Sequence, residues 1–305
     1  MQDVQAFSAF GSVQIHSLIN ELKKIFVPYI LGMLPNIITL QGVITMKLYQ
    51  IDSFTDELFS GNPAGVCLVY DTWPSEELMQ NIAMENNLSE TAFVLKTGDK
   101  MCIRWFTPTA EVGLCGHATL AAAHALFEHE NFQEKELKFE SKRGILGVSY
   151  EDGLLTLDFP RDTVYKIDLE DQVDCFQFKP KEVWRGTDEY ILIFQDESQV
   201  ENAICDLEKA ARIDLSGLII TAASTRPGID FVSRYFTPKY GINEDPVTGS
   251  THTLLTPYWQ GVTGKDEFHA LQISKRGGKL YCRAQGERVK IGGKAVTFFV
   301  AEIIL

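Results

Sequence analysis

The alternation of hydrophobic and polar positions predicts short strands interspersed with a few helices. Apolar runs at residues 64–70, 91–96 and 101–106 have strand length and are rich in β-branched or aromatic residues. A helix is predicted over residues 75–86, because Ser75 can cap its start and two glutamates follow in the first turn. Strands and helices mixed in this order predict an α+β fold.

A second helix is predicted from residue 117 or 119 to about residue 128. Its sequence is apolar almost all round, so we expect it to be buried on most sides. The segments that follow it are strand-like, at residues 137–139, 147–150 and 154–159, with a hairpin turn at Gly153. A mixed sheet wrapped around one central helix accounts for both patterns.

The chain also repeats itself once. Three motifs recur 130 to 133 residues later: Arg104-Trp105-Phe106-Thr107-Pro108 as Arg234-Tyr235-Phe236-Thr237-Pro238, Gly116-His117-Ala118-Thr119 as Gly249-Ser250-Thr251-His252, and Ser141-Lys142-Arg143-Gly144 as Ser274-Lys275-Arg276-Gly277. A long repeat present twice indicates two similar lobes rather than a solenoid. We expect lobes at residues 46–162 and 163–305, joined near residues 160–171, with a second central helix from Thr251.

Composition narrows the classes of function. The 305 residues are 45% hydrophobic, which suits two domains, and the formal charge of −13 argues against a nucleic-acid partner. Six cysteines show neither the density of a disulfide scaffold nor a zinc-binding spacing, so we expect a cytoplasmic protein. No metal-ligand cluster, phosphate loop or dinucleotide fingerprint is present in the sequence, which predicts no metal and no cofactor.

The first 45 residues form the segment least typical of the rest. Residues 25–45 carry no charge and follow two lysines, a pattern that a membrane anchor would also show. Two prolines weaken that interpretation, and no small-residue cleavage site follows. We expect a misassigned start or a disordered extension rather than an anchor or a transit peptide, and no membrane partner.

Two carboxylates lack a counterpart in the other copy of the repeat. Glu90 aligns with Ile220, and Asp245 aligns with Val112. The alternative interpretations are a solvated loop acid for Glu90 and a turn-forming aspartate for Asp245. His117, directly after Gly116, is either a capping or core histidine or part of a site. These differences make Glu90, Asp245 and His117 candidates for chemistry.

In both copies a glycine precedes the central helix, so the first backbone amides of both helices can point between the lobes. Such helix starts bind anions, which predicts that a small acid is held there by its carboxylate. Gly116, Gly249, Ser250 and Thr251 are therefore candidate substrate-binding residues. Ordinary helix caps are the alternative.

Cys115 raises the question of a racemase with two opposed thiols. The position that matches Cys115 in the second copy is Thr248, and a hydroxyl is a far poorer base than a thiol. A two-thiol mechanism is therefore disfavoured, and we expect Cys115 to be a packing residue beside the site.

Four stretches together resemble the PhzF family of phenazine-biosynthesis-like proteins: residues 61–66 (GNPAGV), 87–93 (NLSETAF), 114–119 (LCGHAT) and 244–250 (EDPVTGS). The resemblance begins at about Met46 and excludes residues 1–45. It implies the diaminopimelate epimerase-like fold, with the active site between two lobes, and a homodimer. It also implies that Glu90 is the catalytic glutamate, that His117 and Asp245 complete the site, and that Gly116, Gly249 and Ser250 hold substrate. Thr251 departs from the smaller residue that relatives often carry.

The sequence therefore predicts a cofactor-independent isomerase that moves a proton on a small carboxylated metabolite. An epimerase or racemase of the same fold is the first alternative. A catalytically silent binding protein that retains the fold is the second. A proton shuttle of this type requires a carboxylate whose pKa is raised toward neutrality, which a closed cleft supplies by desolvation.

Overall fold

The structure is a computed structural model that describes residues 45–98, 100–168 and 173–305. The expectations for the N-terminal extension concern residues that lie outside this described part, apart from Thr45. Residues 48–301 form one compact unit, which contains both copies of the repeat. Within the described residues, no helix has the length and apolar character needed to cross a lipid bilayer.

The described chain contains eighteen strands and five α-helices. The strands are β1 (Thr45–Ser53), β2 (Asn62–Tyr70), β3 (Glu90–Thr97), β4 (Lys100–Phe106), β5 (Glu111–Val112), β6 (Glu136–Ser141), β7 (Gly144–Glu151), β8 (Leu154–Pro160), β9 (Tyr165–Ile167), β10 (Glu182–Arg185), β11 (Glu189–Ile193), β12 (Gly217–Ala223), β13 (Phe231–Thr237), β14 (Ile242–Asp245), β15 (Glu267–Gln272), β16 (Gly278–Gln285), β17 (Arg288–Gly293) and β18 (Ala295–Ile304). The helices are α1 (Glu76–Asn86), α2 (Gly116–His129), α3 (Glu197–Glu201), α4 (Leu207–Ala210) and α5 (His252–Thr263).

Strand pairing follows the same order in both copies of the repeat. In the first copy, β2 pairs antiparallel with β1 and parallel with β3, and β4 pairs antiparallel with β3 and β5 and parallel with β6. Strands β10 to β15 repeat these pairings with the same directions. The hairpins β6–β7–β8 and β15–β16–β17 complete the two copies. The sequence repeat is thus a repeat of topology.

Both central helices pack against strands of their own copy. Helix α2 packs against β2, β3 and β8, and helix α5 packs against β16 and β17. Nine of the fourteen residues of α2 are buried, as its continuous apolar character predicts. The alanines of α2 have no exposed surface, because small side chains let the surrounding strands approach the helix closely.

Several local predictions are confirmed, and the start of one helix is corrected. Ser75 caps α1 by accepting a hydrogen bond from the Leu78 amide, and Gly153 takes a left-handed conformation in the β7–β8 turn. The expected connection at residues 160–171 contains strand β9, which pairs with β10; residues 169–172 lie outside the described part. Helix α5 begins at His252 rather than Thr251, because Thr251 is its N-cap residue.

The two copies are joined directly. Strands β8 and β17 pair antiparallel, so the sheet continues from one copy to the other. Arg276 reaches across from the second copy, where its guanidinium donates to the Asp52 carboxylate and to the backbone carbonyls of Ser60 and Gly61. These contacts hold the loop of residues 54–61, which leads into β2, against the second copy.

Candidate active site

Glu90 is the first residue of β3 and lies just after helix α1. The chain reverses direction at Asn87, whose left-handed conformation ends the helix, and this short turn brings Glu90 to the strand end. Only 13% of its side chain is exposed. The interpretation of Glu90 as a solvated loop acid is therefore excluded.

His117 lies in the first turn of α2 and is buried. Its Nε2 atom is 3.3 Å from Oε2 of Glu90 and 3.5 Å from the Ser89 hydroxyl. Its Nδ1 atom is 3.2 Å from the Asn62 amide nitrogen. Burial lowers the pKa of His117 to about 3, so the imidazole is neutral and can either donate or accept through Nε2.

Asp245 comes from the other copy of the repeat and is the last residue of β14. It is 8% exposed, which excludes the simple surface turn considered from the sequence. One carboxylate oxygen accepts a hydrogen bond from Asn62 at 2.9 Å, and the other accepts from the Thr248 hydroxyl. The structure therefore brings Glu90, His117 and Asp245 together, as the sequence analysis expected of a shared site.

Both carboxyl groups have altered acidity. Burial raises the pKa of the Glu90 carboxyl to about 7, and the nearby Asp245 carboxylate adds to the rise, while Cys115 and Ser89 oppose it. Burial also raises the pKa of Asp245 to about 6, against the hydrogen bonds from Thr248 and Asn62. A carboxyl group that titrates near neutral pH can both accept and return a proton.

Two buried amide side chains belong to this cluster and were not predicted as site residues. Asn62 donates to Asp245 of the opposite copy and lies beside His117. Gln272 donates to the backbone carbonyl of Asp245 and to the Thr248 hydroxyl, and it accepts from the Thr248 amide. Asn62 had a signal, because it lies in the first motif of the family resemblance. Gln272 had none.

The two glycines at the helix starts lie close together. A Cβ atom placed on Gly116 would be 3.9 Å from Cα of Gly249. The first helical hydrogen bonds are donated by the Thr119 amide in α2 and by the His252 amide at the start of α5. The backbone amides before them lack intrahelical carbonyl partners, and the closeness of the two glycines places both helix starts in one region.

Ser250 and Thr251 differ in what they offer to a ligand. The Ser250 side chain is exposed at this helix start. Thr251 is 1% exposed, and its hydroxyl donates to the backbone carbonyl of Thr248. The Thr251 hydroxyl therefore stabilises the turn at the start of α5.

Cys115 and Thr248 occupy matching positions but contact different acids. The Cys115 thiol lies near Glu90 and 3.5 Å from Nδ1 of His117, whereas the Thr248 hydroxyl bonds to Asp245. Burial raises the pKa of the Cys115 thiol well above its usual value, with the negative charge of Glu90 adding to the effect. A thiol in this environment is a poor base, which agrees with a packing role.

The ligand atoms of Glu90, Cys115 and His117 lie within 4.8 Å of one another, a spacing that a metal ion could bridge. Metal ligation requires a deprotonated thiol and a deprotonated carboxyl group. The environment favours the protonated thiol, and it raises the pKa of the carboxyl group toward neutrality. Without a cation, this environment leaves the thiol protonated and the carboxyl group able to exchange a proton near neutral pH.

Comparison with known proteins places these residues in a family context. Residues 51–301 match the family model described as phenazine biosynthesis-like protein. A protein of Pseudomonas aeruginosa named as an uncharacterised isomerase is 46% identical over 254 residues, which cover 82% of this chain and 95% of that protein. A crystal structure of a PhzF family protein from Enterococcus faecalis has a TM-score of 0.83 and 41% identity, covering 86% of this chain and 100% of that one.

More distant structures share the fold. A hydroxyproline epimerase from Agrobacterium vitis, solved with trans-4-hydroxy-L-proline bound, has a TM-score of 0.57 and 14% identity. The alignment covers 86% of this chain and 91% of the epimerase. The expected epimerase-like architecture is thus confirmed at the level of the fold.

Proposed function

Because the chain belongs to the phenazine biosynthesis-like (PhzF) family, we propose that it is a cofactor-independent isomerase that moves a proton between carbons of a small carboxylated metabolite. The observation that carries this proposal is the buried Glu90 carboxyl group, which has a pKa of about 7 and lies beside His117 at the start of α2. A group that both removes and returns a proton near neutral pH requires this combination.

In the proposed reaction the Glu90 carboxylate removes a proton from a carbon of the substrate. The electron pair of the broken C–H bond is delocalised into the adjacent unsaturated or carbonyl group. The protonated Glu90 then returns the proton to a second carbon, so one carboxyl group serves both steps and no net proton is consumed. This chemistry requires no redox partner.

The substrate carboxylate is proposed to bind the backbone amides after Gly116 and Gly249, with the Ser250 hydroxyl as a further donor. Two converging helix starts supply partial positive charge, which offsets the negative charge that develops when the proton leaves. His117 lies in the first turn of α2, and Asp245 ends the strand that precedes α5. His117 is proposed to orient Glu90, and Asp245 is proposed to contact the substrate as an acid.

A solvent deuterium exchange screen tests this function. Small cyclic and amino-acid carboxylates would be incubated with the full chain in D2O and followed by mass spectrometry and NMR. An isomerase incorporates deuterium and shifts a double bond or an equivalent unsaturation. The Glu90→Gln variant, which keeps the shape and removes the base, is the matched control and should show no exchange.

The same screen separates the two alternatives. Exchange at one carbon with inversion of its configuration, and no movement of unsaturation, would identify an epimerase. A ligand that binds tightly without any exchange would identify a silent binding protein. Exchange that persists in Glu90→Gln would remove Glu90 from the mechanism.

We further propose that the protein is a cytoplasmic homodimer with no nucleic-acid or membrane partner. All six cysteines are free, which suits a reducing compartment, and the net charge of −13 disfavours nucleic acid. Phe59, Phe298, Phe299 and Val300 are exposed, and Phe59 contacts Phe298 edge to face. An apolar surface of this kind is typical of a subunit interface. Light scattering should give twice the chain mass, and Phe299→Glu should give the monomer mass.

A further inference from the structure

Asn62 lies where the two copies of the repeat meet, and it faces more acceptors than it has hydrogens. It is the first residue of β2 and has no exposed surface. Its amide nitrogen is 2.8 Å from the Val247 carbonyl, 2.9 Å from an Asp245 carboxylate oxygen and 3.2 Å from Nδ1 of His117. The Ser89 hydroxyl donates to its amide oxygen at 3.3 Å. A flipped amide would place its oxygen against two other oxygens, so this orientation is determined by the surroundings.

Two hydrogens cannot fully satisfy three acceptors. The Val247 carbonyl is the nearest acceptor and does not change charge, so one hydrogen remains there. Asp245 and His117 compete for the other. An ionised carboxylate is a stronger acceptor than a neutral imidazole nitrogen, whereas a protonated carboxyl group is not. The charge of Asp245 therefore decides whether Nδ1 of His117 receives a hydrogen bond.

The hydrogen bond at Nδ1 determines which nitrogen of His117 carries the proton. When Nδ1 accepts from Asn62, the neutral ring is protonated at Nε2 and presents a donor to Glu90, 3.3 Å away. When Asn62 turns to Asp245, Nδ1 carries the proton, with the Cys115 sulfur at 3.5 Å as a weak acceptor. Nε2 is then an acceptor for a protonated Glu90.

We propose that Asn62 is a positioning residue that couples the two carboxyl groups by selecting the tautomer of His117. This proposal rests on the role of Glu90 as the group that carries the proton. A proton on Asp245 leaves Glu90 ionised and stabilised by the Nε2 hydrogen of His117. A proton on Glu90 leaves Asp245 ionised and bonded to Asn62. The two arrangements share one negative charge and satisfy all four side chains.

Other ionisable groups near the network disfavour a second negative charge on the Glu90–Asp245 pair. Glu244 adds negative charge next to Asp245, and the Cys115 thiol remains neutral because it is buried. The Ser89 hydroxyl can turn toward Nε2 of His117 at 3.5 Å or toward Asn62. Repulsion between the carboxylates disfavours the doubly ionised state, and the raised pKa values of both groups are consistent with this.

NMR of protein labelled with ¹⁵N-histidine and ¹³C-carboxyl groups measures the coupling without substrate. The signals of His117 can be identified among the six histidines by their loss in His117→Gln. In the unaltered protein the Nδ1 and Nε2 shifts of His117 should change together with the Asp245 carboxyl signal. In Asn62→Leu, which keeps the approximate shape of the side chain, the His117 shifts should no longer change with the Asp245 carboxyl signal. Gln80→Met removes an amide that donates to a backbone carbonyl elsewhere, and it should retain the coupling.

A second variant covers the case in which Asn62→Leu does not fold. Asp245→Asn replaces the carboxylate by a neutral acceptor, so His117 should be protonated at Nε2 from pH 5 to 8. Tautomer shifts that remain constant in the unaltered protein while Asp245 titrates, or a pH-dependent tautomer in Asp245→Asn, would overturn the proposal.

Kinetics distinguish failure of the coupling from failure of the proposed function. Asn62→Leu should lower kcat about 10- to 100-fold with little change in KM and should change the shape of the pH–rate profile. An inactive Glu90→Gln together with an uncoupled His117 in the unaltered protein would leave the isomerase proposal standing without the role of Asn62. Intact coupling together with an active Glu90→Gln would leave the link between Asn62 and the His117 tautomer standing and would remove the proposed role of Glu90.

Discussion

The two copies of the repeat agree in the contacts that support the fold and differ in those that form the site. Arg104 bonds to both oxygens of Glu111 in the first copy, and Arg234 does the same to Glu244 in the second. Each pair holds the end of one strand to the next at equivalent places. The same sequence positions therefore carry the same structural task in both copies.

The differences cluster around the helix starts. Glu90 has Ile220 as its counterpart, a fully buried apolar residue that packs in the core of the second copy. Arg276 clamps the loop of residues 54–61, whereas its counterpart Arg143 is exposed beside Gly113. The matching loop of the second copy spans only residues 186–188 between β10 and β11. An acid, an arginine that holds a loop and the length of that loop are thus among the features in which the two copies differ.

The largest effect on activity is expected at Glu90, which has no acidic counterpart in the second copy. Glu90→Gln should lower kcat/KM by about 10² to 10⁴-fold, because it removes the proposed base and keeps the shape of the side chain. Ile220→Val, at the matching position, should leave kcat/KM within about twofold and cost about 1 kcal/mol of stability. Steady-state kinetics on a substrate from the exchange screen would measure both. Equal losses in the two variants would contradict the comparison.

The contacts of Arg276 with the loop of residues 54–61 should show the next largest difference between the two copies. Arg276→Ala should lower the free energy of unfolding by about 2–3 kcal/mol, because buried Asp52 loses its ion pair and two backbone carbonyls lose the guanidinium as donor. Arg143→Ala should change it by no more than about 0.5 kcal/mol, as expected for an exposed residue. Urea denaturation followed by circular dichroism would measure both, and a similar cost for the two arginines would show that the clamp is not specific to one copy.

The pH dependence of stability should have opposite signs for Glu90, in the candidate site, and Glu111, in the ion pair with Arg104. Burial raises the pKa of Glu90 to about 7, so the folded chain binds its proton more tightly than the unfolded chain, and stability falls as pH rises from about 4.5 to 7. Glu90→Gln should therefore be about 1–3 kcal/mol more stable than the unaltered protein at pH 8, with the difference fading below the ordinary glutamate pKa.

Glu111 provides the opposite case. The hydrogen bond from Arg104 lowers the pKa of its carboxyl group to about 2, so its stabilising contribution is present above the ordinary glutamate pKa and is lost as pH falls toward 2. Glu111→Gln should therefore be less stable than the unaltered protein at pH 8. Thermal unfolding at pH 4 and pH 8 would test both variants, and a gain in stability for Glu111→Gln would refute the distinction.

The smallest effect is expected at Cys115. Cys115→Thr copies the residue of the second copy, and turnover should remain within about tenfold, because a thiol with a strongly raised pKa contributes almost no thiolate. The exchange assay would measure this. A loss of activity as large as that of Glu90→Gln would mean that the thiol takes part in proton transfer.

The sequence by itself determined the elements that depend on local periodicity. The burial of α2 follows from its continuous apolar surface, and the cap at Ser75 follows from the residues next to it. The repeat of topology was readable because both copies retain their motifs at nearly constant spacing. The same comparison singled out Glu90 and Asp245, since a difference between copies is visible without any structure.

Only the tertiary structure decided how these residues act together. Asn62 and Asp245 are separated by 183 residues and meet in one hydrogen bond, and Gln272 reaches the same acid from β15. The position of β9 depended on a distant partner strand in the same way. The pKa of Glu90 near 7 arises from burial and from a carboxylate of the opposite copy, and neither can be read from its neighbours in sequence. Local patterns encode elements, whereas electrostatics and hydrogen-bond networks depend on distances that exist only after the two copies have packed together.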